Sequence, residues 1–400
     1  MKKISIILCL ISLLGLGVLA KSTWELGLGL SQIEDDYYGS FSFRPDLSIG
    51  KLGLGLSLTF NFNSEGLRLE DWQEEGEFSL GKSVSRVVRY VSWAKLGDPF
   101  YFRVGELNNV YVANGLIMDG YRNLSSDEIR SDVRRLGVDV AADIGIIGAH
   151  LMVNNALEPE VFALNPFVKP LYLVDELPTF LKNTSIGVVY IRDIRPEYQM
   201  SYAYGLDLTM PLLNNLAFYF QTAELANSSK GHSVGARSNL GPVYLRGEYR
   251  VFSENFKPAV YDWMYEDYGK DLVLDTPRAN GFMAETGFSL LNDGLLLNIR
   301  YENMMIDGLD SIPTLAGRAT IGSELFATIT GRKGQIEAGY SQSNFIKIDE
   351  ITNQRTKIDA KVSLEIYRGL IGSYIYNVTF KPDNTPVKFQ AFEVSLGGAF

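Results

Sequence analysis

Apolar and polar residues alternate along most of this chain. From Ser40 to Gly50 every second residue is apolar or Pro: Phe41, Phe43, Pro45, Leu47 and Ile49. After Gly50-Lys51 the pattern resumes as Leu52, Leu54, Leu56, Leu58, Phe60 and Phe62, set between Gly53, Gly55, Ser57, Thr59, Asn61 and Asn63. Successive side chains of a strand point to opposite faces, so each segment has one apolar face and one polar or minimal face. Each is also long enough to cross a bilayer, which takes roughly 9–11 tilted residues. Two arrangements satisfy such a pattern. A soluble sandwich turns the apolar face inward, whereas a membrane barrel turns it to lipid and lines a lumen with the other face.

The same period recurs to the end of the chain. Leu206, Leu208 and Met210 alternate with Gly205, Asp207 and Thr209; Leu295, Leu297, Ile299 and Tyr301 oppose Asn298, Arg300 and Glu302. Ile358, Ala360, Val362, Leu364 and Ile366 oppose Lys357, Asp359, Lys361, Ser363 and Glu365. Short connections fall at Gly50-Lys51, Gly97-Asp98-Pro99, Asp143–Ile146, Pro211–Asn215, Gly241-Pro242, Asn292-Asp293-Gly294, Thr330–Gly334 and Tyr367–Leu370. Long polar connections lie between them at Ser64–Lys82, Asn108–Asp132, Ser253–Arg278 and Phe345–Asn353. A strand around Phe167–Val174 and a turn within Glu176–Asn183 complete the series. Alternating short and long connections mark an up-and-down barrel rather than Greek-key crossovers. The pattern predicts an all-β, closed antiparallel up-and-down transmembrane β-barrel of about 20 strands, within a range of 16–20. Residues 21–400 form its single domain.

Residues 1–20 read as a cleaved signal peptide, with Lys2 and Lys3, an apolar core from Ile4 to Val18, and Val18-Leu19-Ala20 as the cleavage site. After Ala20 no apolar run reaches the ~18 residues of a membrane helix. Cys9 is the only cysteine of the 400 residues, so the mature chain has no thiol for disulfides, metal sites or nucleophilic catalysis. The net charge of −10, or −12 without Lys2 and Lys3, argues against nucleic-acid binding. The 22 Phe and 22 Tyr residues suit strands and interfacial girdles.

Charge on one strand parity is the main candidate chemistry. The expected lumen-lining charges are Arg44, Arg103, Arg135, Asp139, Asp207, Arg246, Glu248, Arg250, Arg300, Glu302, Lys357, Asp359, Lys361 and Glu365, with Asp46, Glu285 and Glu393 on the same parity. At mid-depth on a lipid face each Lys or Arg costs ~2–4 kcal/mol, so this parity must be wet, as an open channel or as a wall of mutual ion pairs. Acidic excess then falls in the loops, at Glu34-Asp35-Asp36, Glu65 to Glu77, and Asp262, Glu266, Asp267, Asp271 and Asp275, where it implies a mild cation preference. The long connection Asn108–Asp132 carries Val110, Val112, Leu116, Ile117 and Met118, too apolar for an exposed loop; it is the candidate constriction.

Other motifs carry less. Gly76–Ser83 has the spacing of a phosphate-binding loop, but Glu70–Glu75 precedes it and a strand pattern follows, so chance spacing in a loop explains it. His150 and His232 are the only histidines; neither stands in a recognisable triad or a metal-ligand cluster. No catalytic, cofactor-binding or metal residue is assigned, no cofactor is expected, and the chain is not expected to be an enzyme.

Two resemblances bear on this reading. Phe400 closes an alternating strand with Phe392, Val394 and Leu396, which resembles the terminal signal read by the barrel-assembly machinery of bacterial outer-membrane proteins, departing from it at Gly398. Asp98–Leu107, Gly115–Met118 and Tyr121–Asn123, with Glu248-Tyr249-Arg250 and Tyr261-Asp262, resemble segments of poorly characterised porin-like barrels. The resemblance implies a bacterial outer-membrane barrel and says little about its cargo; the expected partners are outer-membrane lipids, the assembly machinery and small hydrophilic solutes. The expected function is passive diffusion of such solutes or ions. A non-conducting barrel that displays loops or tethers the envelope is the alternative.

Overall fold

The computed structural model describes residues 21–399 except 34–35, 65, 69–72, 75–76, 79–86, 126–134, 199–200, 263–264, 269–275, 292–293, 307–311, 344–351, 353–355, 368–369 and 381–384. The expected signal peptide, Phe400 and most of the Gly76–Ser83 motif lie outside the described residues.

Antiparallel strands form one ring. In chain order they are β1 (Lys21–Ile33), β2 (Asp36–Ile49), β3 (Leu52–Leu56 with Leu58–Asn63), β4 (Val88–Trp93), β5 (Phe100–Gly105), β6 (Gly137–Asp143) and β7 (Ile147–Val153). There follow β8 (Val161–Val168), β9 (Ser185–Asp193), β10 (Tyr202–Leu213), β11 (Leu216–Leu225), β12 (Lys230–Leu240), β13 (Val243–Phe252) and β14 (Ala279–Leu290). The last are β15 (Leu295–Ile306), β16 (Ile312–Ile321), β17 (Gly334–Ser343), β18 (Thr356–Tyr367), β19 (Leu370–Phe380) and β20 (Pro386–Ala399). The main sheet has 22 segments; both halves of β3 pair with β2, and Gly66–Leu67 pairs only with the end of β3, which leaves twenty strands. Each strand pairs with its neighbours in sequence. The ring closes where β1 pairs with β20, from Thr23 opposite Ala399 to Leu28 opposite Val394. Closure removes the free edges that an open sheet would expose.

The alternation read from the sequence fixes which side faces out. Along β10, Leu206 is 53% exposed while its neighbour Asp207 is 7% exposed. Along β13, Leu245 and Tyr249 are exposed, whereas Arg246, Glu248 and Arg250 are buried. Val188, Phe218, Val234, Phe282, Ile299 and Phe392 also stand on the exposed side of their strands. An apolar outside around a charged inside is the inverse of a soluble sandwich, and it is the arrangement a bilayer requires.

Turn chemistry sets the short end of the ring. Gly50 (φ +62°) and Gly241 (φ +67°) take left-handed backbone at two tight turns, which glycine adopts without strain. Three connections differ from expectation. β8 ends at Val168 rather than running to Val174, because Pro170 lacks the N–H that a ladder needs; a short helix α1 (Thr179–Lys182) follows. Pro211 lies inside β10 at a register shift, so the turn narrows to Asn214-Asn215. The connection before β17 holds a helix α2 (Ser323–Thr330) whose Phe326 packs on Gly334. Strict short and long alternation also fails, since connections 34–35 and 226–229 on the long-loop end are as short as the turns. A two- to five-residue hairpin closes a strand pair at either end, so direction alternates but length need not.

Candidate functional site

Two long connections fold back into the ring. The first leaves β5 at Gly105, whose φ of +112° brings the Arg89 carbonyl to 2.3 Å from where a Cβ would sit. No other residue fits there, so this glycine turns the chain inward. Asn123 clamps the neck: its side-chain oxygen accepts from Leu107 N–H at 2.8 Å, and its amide donates to the Asn154 carbonyl at 2.8 Å. Between these points Val110-Tyr111 pairs with Asp119–Tyr121 as a small hairpin.

The second connection runs from β13 to β14 and lies against the first. Ala259 N–H donates to the Leu116 carbonyl at 2.8 Å, Tyr261 N–H to Ile117 at 3.1 Å, and Asp119 N–H to Tyr261 at 3.1 Å. Val110, Val112, Leu116, Ile117 and Met118 are all buried, in a cluster with Phe256, Val260, Tyr261 and Tyr265 of the second loop. The same cluster includes Met152, Val161, Ile191 and Ala223 on the inner wall. The five apolar residues singled out in the sequence therefore lie inside the ring, packed against β7 to β13. The second loop was legible by the same signal, apolar residues in a polar connection, but its acids hid it.

Charged side chains pin both loops. Asn114 donates to Asp207 at 2.6 Å and to Thr209 at 2.7 Å, while Arg246 donates to the Asn114 carbonyl at 2.7 Å. Asp119 of the loop stands 3.1 Å from Arg300 and 3.7 Å from Arg246. At the mouth, a helical turn α3 (Tyr265–Tyr268) presents Glu266, which lies 2.8 Å from Arg195 and 3.0 Å from Arg135 and accepts from Tyr121 at 2.5 Å. Arg195 also pairs with Asp193 at 2.7 Å, and Tyr265 donates to Asp193 at 2.9 Å. Burial alone would lower the Arg195 pKa, but hydrogen bonds to Asp193 and Glu266 and their charges raise it, so it stays a cation. Burial, then the Glu266 charge, lifts the Tyr121 hydroxyl well above its usual range. Glu266 is thus a buried latch rather than one of the solvated acids expected in this loop.

The wall charges form a ladder. Glu248 lies 2.5 Å from Arg246 and 2.6 Å from Arg250, and Arg250 reaches Glu302 at 2.9 Å. Arg300 reaches Glu285 at 3.1 Å. Asp139 accepts from Tyr101 at 3.0 Å and lies 2.5 Å from Nε2 of His150. Arg103 stacks on the Tyr90 ring at 3.8 Å. Arg44, Lys357, Asp359, Lys361 and Glu365 are partly buried on the inward parity of β2 and β18, where Asp359 lies 3.5 Å from Arg318. Arg135 differs from expectation. It precedes β6, and it belongs to the mouth latch with Glu160 and Glu266 rather than to the wall.

Below the loops lies a cavity of about 670 Å³, roofed by Tyr111, Ala113 and Asn114 and floored by the Leu96–Asp98 turn. Its sides carry Asp143, His150, Arg237, Tyr244, Arg246, Glu285, Asn298 and Arg300. Asp98, Asp143 and Glu285 balance Arg237, Arg246 and Arg300. Arg237 stands without a carboxylate partner among the described residues, and alternation alone had not marked it. Among the described residues no three His, Cys, Asp or Glu side chains group so as to hold a metal ion. The space can hold water and small polar solutes.

A closed ring, an apolar exterior and a charged interior narrowed by inward loops define a porin-like β-barrel of the outer-membrane type. No protein-family model matches the chain, and no curated protein matches it. Among solved structures it is similar to OccK3 (OpdO) of Pseudomonas aeruginosa, at 10% identity and a TM-score of 0.39, over 97% of this chain and 98% of that one. It is similar to OccK2 (OpdF) of the same organism, solved in complex with glucuronate, at 10% identity and TM-score 0.40, over 95% and 96% of the two chains. OccAB3 of Acinetobacter baumannii gives 10% identity and TM-score 0.37, over 95% and 99%. The fold itself stands on the strand register of this chain and not on these similarities.

Proposed function

We propose that this protein is a channel of the bacterial outer membrane, through which small hydrophilic solutes or ions diffuse passively. One observation supports the reading above all: a cavity of about 670 Å³, lined by both signs of charge, lies inside a ring whose outside is apolar. Large barrels leave water inside, and fixed charges in that water grade what passes. The apolar loop core narrows one side of the lumen, with Val110, Val112, Leu116, Ile117 and Met118 as its inner face. Charges that face the remaining space, Arg300, Glu285 and Arg237 among them, meet the solute. Asp207, Arg246 and Glu248 hold the loop and the wall in place. The cavity is charge-balanced, so a mild cation preference rests on the acidic outer loops. The terminal strand would be read by the barrel-assembly machinery, and lipid would surround the apolar face.

Liposome swelling in graded sugars tests the channel. Swelling should be fast for small sugars and fall with size. Reversal potentials in a salt gradient should show weak cation preference; clear anion preference would remove that part. Deletion of residues 110–121 should enlarge single-channel conductance. A folded barrel that passes neither sugars nor ions would favour the loop-displaying or tethering role, which the tightly packed loop core also suits.

A further inference from the structure

A second cavity, about 460 Å³, opens at the outer end of the ring between β9, β10 and the connection that joins them. Tyr190, Arg192, Tyr198 and Tyr202 line it, with Asp193 and Arg195 at its back. Asp193 and Arg195 are closed on each other, so the back of the cavity is neutral. Arg192 is different. It is exposed, and no carboxylate among the described residues pairs with it.

Its parity is the decisive point. Ile186, Val188, Tyr190 and Arg192 share one face of β9, and Ile186 and Val188 are exposed on the lipid side. Arg192 stands opposite Tyr202, and Tyr190 opposite Tyr204. The rings of Tyr202 and Tyr204 stack at 6.4 Å and 13°, and Tyr190 meets Phe162 at 6.0 Å. This is an aromatic girdle with one free guanidinium just beyond it. Four residues beyond Val188, Arg192 is roughly 13 Å further along the strand, next to its outer end. A charge tolerated only near the interface belongs there.

We infer that Arg192, with the hydroxyls of Tyr190, Tyr198 and Tyr202, forms a binding site for the phosphate of a lipid headgroup in the outer leaflet. A guanidinium fits phosphate with two parallel hydrogen bonds, and tyrosine rings lie well at the boundary between chains and headgroups. Arg192, Tyr190 and Tyr202 stand on the lipid-facing parity of β9 and β10, while Tyr198, stacked on Arg195 and Tyr265, closes the side toward the mouth, so the phosphate that Arg192 meets is carried by lipid rather than by a passing solute. The inference rests on the proposed membrane placement, not on conduction.

Native mass spectrometry of the full-length folded barrel in detergent, with bis-phosphorylated lipid A as the probe, tests it. Wild-type protein should retain this lipid, and dephosphorylated lipid A at least tenfold less. Arg192→Gln should lower retention of the phosphorylated lipid about tenfold, and Arg192→Lys should restore part of it. Heat-modifiable gel mobility confirms that each variant is folded, and single-channel conductance should not change in Arg192→Gln. Equal retention of the two lipids, or of one lipid by wild type and Arg192→Gln, would overturn the inference. So would displacement by inorganic phosphate at the lipid's own concentration, which would make this a soluble-anion site.

Discussion

The arc from β6 to β14 and the arc from β16 to β20 follow one alternation and differ inside. In the first, inward side chains are covered by two loops. Asp139, Asp207, Glu248 and Arg250 are each at most 7% exposed there, and their partners stand at 2.5–3.0 Å. In the second, the Arg318–Asp359 pair spans 3.5 Å with its side chains 65% and 35% exposed. Strand period decides which way a side chain points. Loop cover decides how far it is from water, and so what its charge costs.

That contrast can be broken in four ways. The largest effect should come from Glu248→Ala, which strands Arg246 and Arg250 in a buried site; a loss of about 3–5 kcal/mol is expected from urea unfolding in vesicles. Leu206→Arg places charge on the lipid face and should cost ~2–4 kcal/mol in the same assay. A small cost there would mean that this face does not meet hydrocarbon.

Alkaline pH should loosen the covered arc first. Burial raises the Tyr121 and Tyr265 hydroxyls above their ordinary range, with the Glu266 charge adding for Tyr121 and Tyr261 and Asp193 for Tyr265. Above about pH 10 the unfolded chain releases these protons while the folded chain keeps them, so stability falls as pH rises, by ~1.4 kcal/mol per pH unit for each group. Tyr121→Phe should flatten that slope in pH-dependent unfolding. The smallest effect belongs to the open arc, where Asp359→Ala should cost less than about 1 kcal/mol. A cost equal to that of Glu248→Ala would erase the distinction between the arcs.

Much of this was legible in the chain. Period two placed Leu206 outside and Asp207 inside, and the series of connections led to about twenty strands. The apolar residues of 110–118 marked a loop that could not remain in water. What stayed hidden is long-range. Local period cannot show that Tyr261 lies beside Ile117, because those residues are far apart in the chain and neither belongs to a wall strand. The acids around Glu266 read as a solvated cluster, since their cationic partners, Arg135 and Arg195, come from other connections. Arg192 was not singled out in the sequence; the register of β9 puts it on the same face as Val188.

Single-channel recording of the full-length protein in planar bilayers tests the central claim most directly. The account predicts discrete, ohmic conductance steps that grow when residues 110–121 are removed. Protein that shows heat-modifiable mobility, inserts into the bilayer and carries no current in either form would contradict it.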